Sequence, residues 1–341
     1  SGHKVSPQQA DKKYGLDIAG KIHKEANASL AFTTNLIKDN NIDCDLQICG
    51  RLRTSWVPQD QVSMSENLNK LKAIDHFNSK MIDPNLMSES IKTDLYFGGQ
   101  YYQDHGSVHP RKFHYGLHQL AIDSGAKVFG NKPVKKVTRL STDEKDGFIV
   151  SISNETINCK NVLIATNGYT RTTLSKYLSR RILPVPSYII TTDEIGIERV
   201  NSLIPGGHCI VETRKRYCYY RPTPCGKRIM IGTRAAMHSI SAEKALPILQ
   251  KTLSEIFPEL DGVKVSHCWT GFTGFSFSML PNLGSHNGIY SAMGYCGNGV
   301  AMAPYLGHMA ALKILEPNKK VTVFEDTSLQ SRPYYFGKPW F

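Results

Sequence analysis

No run of eighteen apolar residues occurs in this sequence, so no transmembrane helix is expected. No Cys-x-x-Cys pair occurs either. The eight cysteines, Cys44, Cys49, Cys159, Cys209, Cys218, Cys225, Cys268 and Cys296, lack metal-ligand spacing, and no metal site is expected. In a chain of 341 residues they are no miniprotein staple. Free thiols in a reducing, cytoplasmic setting are the expectation. The opening residues Ser1-Gly2-His3-Lys4-Val5-Ser6-Pro7 lack the apolar segment of a secretory signal. They also lack an initiating Met, and an upstream segment is expected. Internal repeats and low-complexity tracts are absent. Although 41 Lys and Arg face 29 Asp and Glu, for a net charge of +12, the positive residues fall in pairs such as Lys12-Lys13 and Arg180-Arg181. Arg214-Lys215-Arg216 is the single triplet. A nucleic-acid partner would call for a longer basic run with interleaved aromatics, so none is expected. A basic surface still favours an anionic cofactor or substrate.

What is present fits a globular chain, with 40% hydrophobic and 21% charged residues, long enough for two domains. Apolar residues at three- and four-residue steps predict helices over 17–40, 64–78 and 110–124. Pro110 suits a first helical turn and Gly125 a helix end. Strands are expected at 42–49, 126–129 and 134–137, followed by a hairpin of 147–153 with 155–159. The apolar run Asn161-Val162-Leu163-Ile164-Ala165-Thr166 suits a strand buried on both faces of a parallel sheet. Residues 96–100 read as a turn. Strands at 188–192, 208–212, 217–221 and 228–232, separated by Pro- and Gly-rich turns, predict an antiparallel sheet, with a helix over 242–256. A strand at 288–292 and a helix over 299–314 close the chain. The fold class is therefore α/β (α+β): a nucleotide-binding domain interrupted by an antiparallel one.

Two turns carry chemistry. Gly294-Tyr295-Cys296-Gly297-Asn298-Gly299-Val300 follows an apolar strand and opens a helix. Its glycines let a ligand approach the backbone, and the helix start offers unpaired N–H groups and a positive dipole end. That suits a phosphate, or a flavin edge that becomes negative on reduction. A packing turn with the same glycines is the competing reading. Thr166-Asn167-Gly168 stands at the carboxyl end of a strand, where open α/β sheets bind ligands; an ordinary turn is again the alternative. Among the predicted strands of the antiparallel domain, Tyr188, Tyr219 and Arg221 are candidates to orient a substrate, Arg221 by pairing with a carboxylate. For each, a core or solvated role competes. His109, before Pro110, reads as structural.

Taken together, Ile42-Asp43-Cys44-Asp45, Gly50-Arg51-Leu52, Gly98-Gly99, His109-Pro110, Ala165 to Thr170, Trp269-Thr270-Gly271, Leu280-Pro281, Gly294 to Val300 and the tail from Arg332-Pro333 to Phe341 follow one family's order. The chain resembles the FAD-dependent oxidoreductases of the D-amino-acid oxidase superfamily, on the branch of γ-glutamylputrescine oxidase-like proteins. The resemblance implies an FAD/NAD(P)-binding Rossmann-like domain over 1–41, 104–180 and 284–330. It implies an inserted substrate domain over 42–103 and 181–283. It adds Val134 and Gly271 to the cofactor contacts, and Phe272 and Phe275 to the substrate wall. It implies oxidation of a C–N bond in a small amine or amino acid, with FAD as cofactor and oxygen or another acceptor downstream. A dehydrogenase passing electrons to a quinone or protein remains open, as does an inactive, cofactor-free fragment. Departures are the absent Gly-x-Gly-x-x-Gly unit, expected upstream at about 30 residues or more, and Ser278 and Asn282, where related sequences usually carry Asp and His. Cys296 is read as a small residue rather than a covalent flavin anchor. Oligomeric state is not legible.

Overall fold

The structure is a computed structural model that describes residues 2–75, 77–142, 145–216, 218–235 and 238–337. Tyr217 and the tail from Lys338 to Phe341, both used above, lie outside the described residues. The first half runs α1 (Pro7–Tyr14), α2 (Leu16–Asp39), β1 (Arg51–Thr54), α3 (Pro58–Ile74), β2 (Ser79–Ile82), β3 (Gly99–Tyr102) and α4 (Pro110–Asp123). There follow β4 (Val134–Thr142), β5 (Lys145–Ile152), β6 (Glu155–Cys159), β7 (Leu163–Ile164) and α5 (Lys176–Ser179). Then come β8 (Ile182–Thr192), α6 (Ile197–Leu203), β9 (Cys209–Glu212), β10 (Cys218–Pro222), β11 (Ile229–Thr233) and α7 (Ala242–Ile256). The chain closes with β12 (Val265–Ser276), β13 (Asn282–His286), β14 (Ile289–Met293) and α8 (Gly299–Leu315).

These elements fall into two compact units: Ser1–Ile42, Tyr115–Val185 and Phe272–Trp340 form the first, and Asp43–His114 with Pro186–Gly271 form the bulk of the second. In the first unit β13, β14 and β7 make a three-stranded sheet in which β14 and β7 are parallel, and β4, β5 and β6 make an antiparallel one. Ser6 caps α1 through a reciprocal box with Gln9, and Gly15 at φ 79° separates α1 from α2. The Thr33 hydroxyl on α2 donates to the Ala301 carbonyl on α8 at 2.8 Å. Ile22, Leu283, Met302, Leu306 and Phe324 belong to the core there.

Beside that core lie two imidazoles, His23 buried and His3 partly buried. His3 reaches the Ile22 carbonyl at 3.1 Å and meets the Phe324 ring edge-on, yet its Nδ1 and the Nε2 of His23 find no hydrogen-bond partner among the described residues. Burial, with the neighbouring imidazole adding to it, pushes His3 down to about 3; burial pushes His23 down to about 4. Both folded values lie below the ordinary 6.5, so the unfolded chain takes up protons first as pH falls. Stability is then complete above 6.5 and is lost towards 4 and 3. For His23 the loss by pH 5 is about 2 kcal/mol. Urea unfolding at pH 7.5 and 5.0 checks this, and His23→Leu should shrink the difference between the two.

In the second unit eight strands form one sheet, in the order β12-β8-β11-β10-β9-β1-β3-β2. From β8 to β2 its pairs are antiparallel except that β1 and β9 run parallel, with Arg51 opposite Cys209. One face is closed by the apolar side chains of Leu52, Tyr188, Ile190, Ile210, Tyr220 and Ile231, packed with Leu249, Leu253 and Phe257. Alternation along the strands sends Arg51, Cys209, Tyr219 and Arg221 to the other face.

Several expectations need correction. Residues 42–49 form no strand; a single bridge joins Gln47 to Ser107, Asp45 takes φ 51°, and the Lys112 ammonium draws in both Asp43 and Asp45. Residues 126–129 also form no strand, for no neighbouring strand pairs with them, and Val128 and Phe129 are exposed. The run 161–166 yields only two strand residues, and Leu163 is exposed while Ile164 is buried, so one face of β7 is covered and not both. The turn at 96–100 ends at Gly98, φ 96°, and Gly99 already begins β3. The helix predicted over 64–78 begins six residues earlier, at Pro58, and ends at Ile74.

Candidate functional site

In the first unit three segments distant in sequence interlock. The β14 strand ends at Met293, and Gly294, at φ 79°, turns the chain. The Gly294 amide donates to the Asn167 side-chain oxygen at 3.1 Å, although 127 residues separate them. The third segment is the end of β12: Phe275 bridges Tyr295, and the Cys296 amide donates to the Gly274 carbonyl at 3.1 Å. Gly168 lies against the same strand, so closely that a Cβ there would come 3.0 Å from the Gly274 nitrogen and 3.1 Å from the Phe272 carbonyl. Thr166, Asn167, Gly168, Gly294, Tyr295 and Cys296 are thus brought to one place.

The turn then feeds α8. Asn298 precedes the helix, but its side chain caps no amide; it donates instead to the Gly2 carbonyl at 2.6 Å. The amides of Gly299, Val300 and Ala301 lie in the first turn of α8, where no intrahelical acceptor exists. Gly297, at φ 94°, and Val300 are exposed, so this end is open to a ligand. The aliphatic end of Lys4 lies beside Gly297 and its charge acts on Cys296, adding to the positive helix end. Sequence reasoning missed Lys4, because nothing in a lone lysine announces a partner nearly 300 residues away. Cys296 is buried, with its thiol turned to the Gly294 carbonyl at 3.1 Å, as a small packing residue would be. Val134 opens β4, an edge strand whose outer backbone groups pair with no strand among the described residues. Gly271 falls at the end of the second unit, on β12.

The substrate candidates divide. Tyr188 is fully buried in the second unit's core, with its hydroxyl accepting from the Ile240 amide at 2.7 Å and donating to the Ile240 carbonyl at 3.1 Å. Strand alternation turns it to the helix-covered face, so it is a core residue and no aromatic wall. Tyr188→Phe is expected to cost about 1–2 kcal/mol by stranding the Ile240 amide, while leaving KM unchanged; urea unfolding with steady-state kinetics tests both halves. Tyr219 and Arg221 sit together on the opposite face: the Tyr219 hydroxyl meets Ser187 at 2.5 Å, its ring covers Gly232, and Arg221 donates to the Val108 carbonyl at 3.0 Å. Arg51 shares this face. Its guanidinium stacks on Tyr102 at 4.4 Å, and its Nε is buried without a hydrogen-bond partner among the described residues. The sequence had flagged Gly50-Arg51-Leu52 only as a family pattern. Phe272 and Phe275 are three residues apart on β12, so they point to opposite sides and do not build one wall. Phe272 instead meets the Tyr169 ring edge-on at 5.7 Å, and its amide donates to the Tyr169 hydroxyl. Asn282 is buried and donates to the Phe324 and Thr327 carbonyls, so the residue that departs from the family pattern ties down the 324–327 turn. Ser278 is buried against Ser276.

An open helix start preceded by glycines, joined to a strand-end turn, offers backbone amides of the kind an anionic group accepts. The comparisons agree with that class. The family of FAD-dependent oxidoreductases designated DAO matches residues 2–312, and the chain belongs to it. It is 24% identical to the γ-glutamylputrescine oxidoreductase of Escherichia coli over 88% of this chain and 69% of that protein. Its fold matches the glycine oxidase of Geobacillus kaustophilus with a TM-score of 0.74 and 17% identity, over 93% of this chain and 83% of that one. It matches the L-proline dehydrogenase of P. horikoshii at 0.72 and 17%, over 96% and 88%. The cofactor of this family is FAD. The residues present fit an anionic cofactor: the first-turn amides of α8 carry no side-chain cap, Gly297 is exposed, and Lys4 supplies a cation. No helix among the described residues is long and apolar enough to cross a membrane.

Proposed function

We propose that this chain oxidises the C–N bond of a small amine or amino acid, with its first unit holding FAD and the sheet of its second unit holding the substrate. When bound, FAD accepts the hydride lost from the carbon next to nitrogen. The imine product then hydrolyses in water. The chain's own residues position and polarise. The first-turn amides of α8 and the Lys4 ammonium favour negative charge beside Gly297 and Gly299. Thr166, Asn167 and Gly168 fix the turn from the other side, and the free edge of β4 at Val134 offers backbone contacts. The face bearing Arg51, Tyr219 and Arg221 favours a substrate with an anionic group, because two guanidiniums lie there and neither forms an ion pair among the described residues. No residue need act as a strong base, since an uncharged amine reacts by hydride loss.

The observation that carries this reading is the bond between the Gly294 amide and Asn167, which joins the strand-end turn to the open helix start. The test is titration of the intact protein with FAD, followed by flavin fluorescence quenching. Anaerobic bleaching of the flavin band is then measured with a panel of amines and amino acids. Uptake followed by bleaching is expected. Failure of the intact protein to take up FAD would overturn the proposal. Reoxidation by oxygen or by a quinone then identifies the acceptor.

A further inference from the structure

Outside the cofactor turn, the second unit carries two thiols that the proposed chemistry does not use. Cys49 stands two residues before β1, and Cys209 is the first residue of β9, its parallel neighbour. The two residues are neighbours across the strand entries, with the Cys49 thiol turned to the Gly50 carbonyl at 3.7 Å and the Cys209 thiol to the Gly106 carbonyl at 3.9 Å. Their backbones are held in register by the Cys209 amide donating to the Gly50 carbonyl at 3.1 Å and the Gly50 amide donating to the His105 carbonyl at 2.7 Å. The Cys49 carbonyl is held in turn by the His208 ring nitrogen at 2.6 Å and the Tyr101 hydroxyl at 3.4 Å. Both thiols are only partly buried. Arg51 and Arg221 place positive charge beside Cys209. No third His, Cys, Asp or Glu among the described residues joins them to complete a metal site.

We infer that Cys49 and Cys209 form a reversible redox site, closed to a disulfide by a peroxide. Reactive cysteines sit in partly exposed, electropositive surroundings with a second thiol at hand, and this pair meets each condition. The neighbouring Cys209 thiol draws the Cys49 thiol down, whereas Cys49 and burial push Cys209 up, so Cys49 is assigned as the attacking sulfur. In the first step the Cys49 thiolate attacks one oxygen of hydrogen peroxide. The O–O bond breaks, Cys49 becomes a sulfenic acid, and the departing hydroxide takes up a proton as water. In the second step the Cys209 sulfur attacks the sulfenic sulfur. The S–O bond breaks, the S–S bond forms, and hydroxide leaves with the Cys209 proton as a second water. Two thiols are oxidised by two electrons and one peroxide is reduced to two waters. The disulfide ties the entry of β1 to the start of β9, on the sheet face that carries Arg51 and Arg221.

The test uses the full chain with Cys225→Ser, which removes an exposed thiol on a turn. The protein is treated with graded hydrogen peroxide, its remaining thiols are blocked, and it is digested and mapped by mass spectrometry. A peptide linking Cys49 to Cys209 is expected, lighter by two hydrogens, reversed by dithiothreitol, and absent in both Cys49→Ser and Cys209→Ser. In Cys209→Ser, Cys49 should stop at the sulfenic acid, captured by dimedone. Full alkylation of both thiols after peroxide, linkage of Cys49 to other cysteines as often as to Cys209, or oxidation of Cys49 that Cys209→Ser leaves unchanged would each overturn the inference.

Discussion

Replacing Glu212 by Ala should lower the stability of the second unit by about 3–5 kcal/mol, the cost of breaking a buried ion pair from one side. The Glu212 side chain, on β9, is wholly buried. Arg214 grips it with two nitrogens, Nε and Nη2, the latter at 2.9 Å. The Tyr96 hydroxyl donates to it at 2.6 Å and lies 2.7 Å from the Tyr220 hydroxyl. Arg214 in turn stacks on the Trp56 ring at 4.3 Å and is mostly buried. Removing the carboxylate leaves a guanidinium with only Glu255 among the described residues, at 3.4 Å and half exposed, to answer it. It also takes from Tyr96 its charged acceptor. Glu212→Gln keeps an acceptor for Tyr96 but not the charge, so it should fall between Ala and the parent. Urea unfolding of all three proteins measures the series. A cost below 1 kcal/mol for Ala would mean that Glu255 and solvent carry Arg214 alone.

This network shows what the sequence could and could not reveal. Glu212 and Arg214 stand two residues apart at a strand end, a spacing that reads as solvated charge, and Tyr96 lies 116 residues away. Burial is a property of the sheet, not of the local pattern. The helices α2, α4, α7 and α8 were legible because apolar periodicity and capping are local signals. So were β9, β10 and β11, bounded by Pro and Gly turns. The turn from Gly294 into α8 was legible because glycines before a helix have few uses. Whether Tyr188 serves core or substrate was not legible, because its place in a strand says nothing of which face it takes until a neighbour fixes the register. Residues 42–49 alternate as a strand would, but Lys112 and the left-handed Asp45 hold them otherwise. Lys4 and Arg51 gain their roles only from what folds against them.

Gly274→Ala should weaken FAD binding at least tenfold, about 1.4 kcal/mol, through a clash that never touches the cofactor. Gly274 is buried on β12. A Cβ there would overlap the Asn167 side-chain oxygen and lie 2.8 Å from the Gly168 nitrogen. Backbone cannot yield at that distance, and Asn167 can only rotate away. In doing so it releases the Gly294 amide, which it accepts at 3.1 Å, and with it the hold of the strand-end turn on the segment that opens α8. Overpacking of this kind also costs about 1–3 kcal/mol of stability, so the two effects have to be separated. Gly130→Ala is the control, since a Cβ at Gly130 meets nothing within 4 Å. Asn167→Ala separates them further: it deletes the same hydrogen bond without the overlap and should reproduce most of the loss in affinity with a smaller loss in stability. Affinity is read by flavin fluorescence quenching and stability by urea, on the same preparations. If Gly274→Ala unfolds more readily yet binds FAD as the parent does, the joined turns are a packing device and the cofactor lies elsewhere.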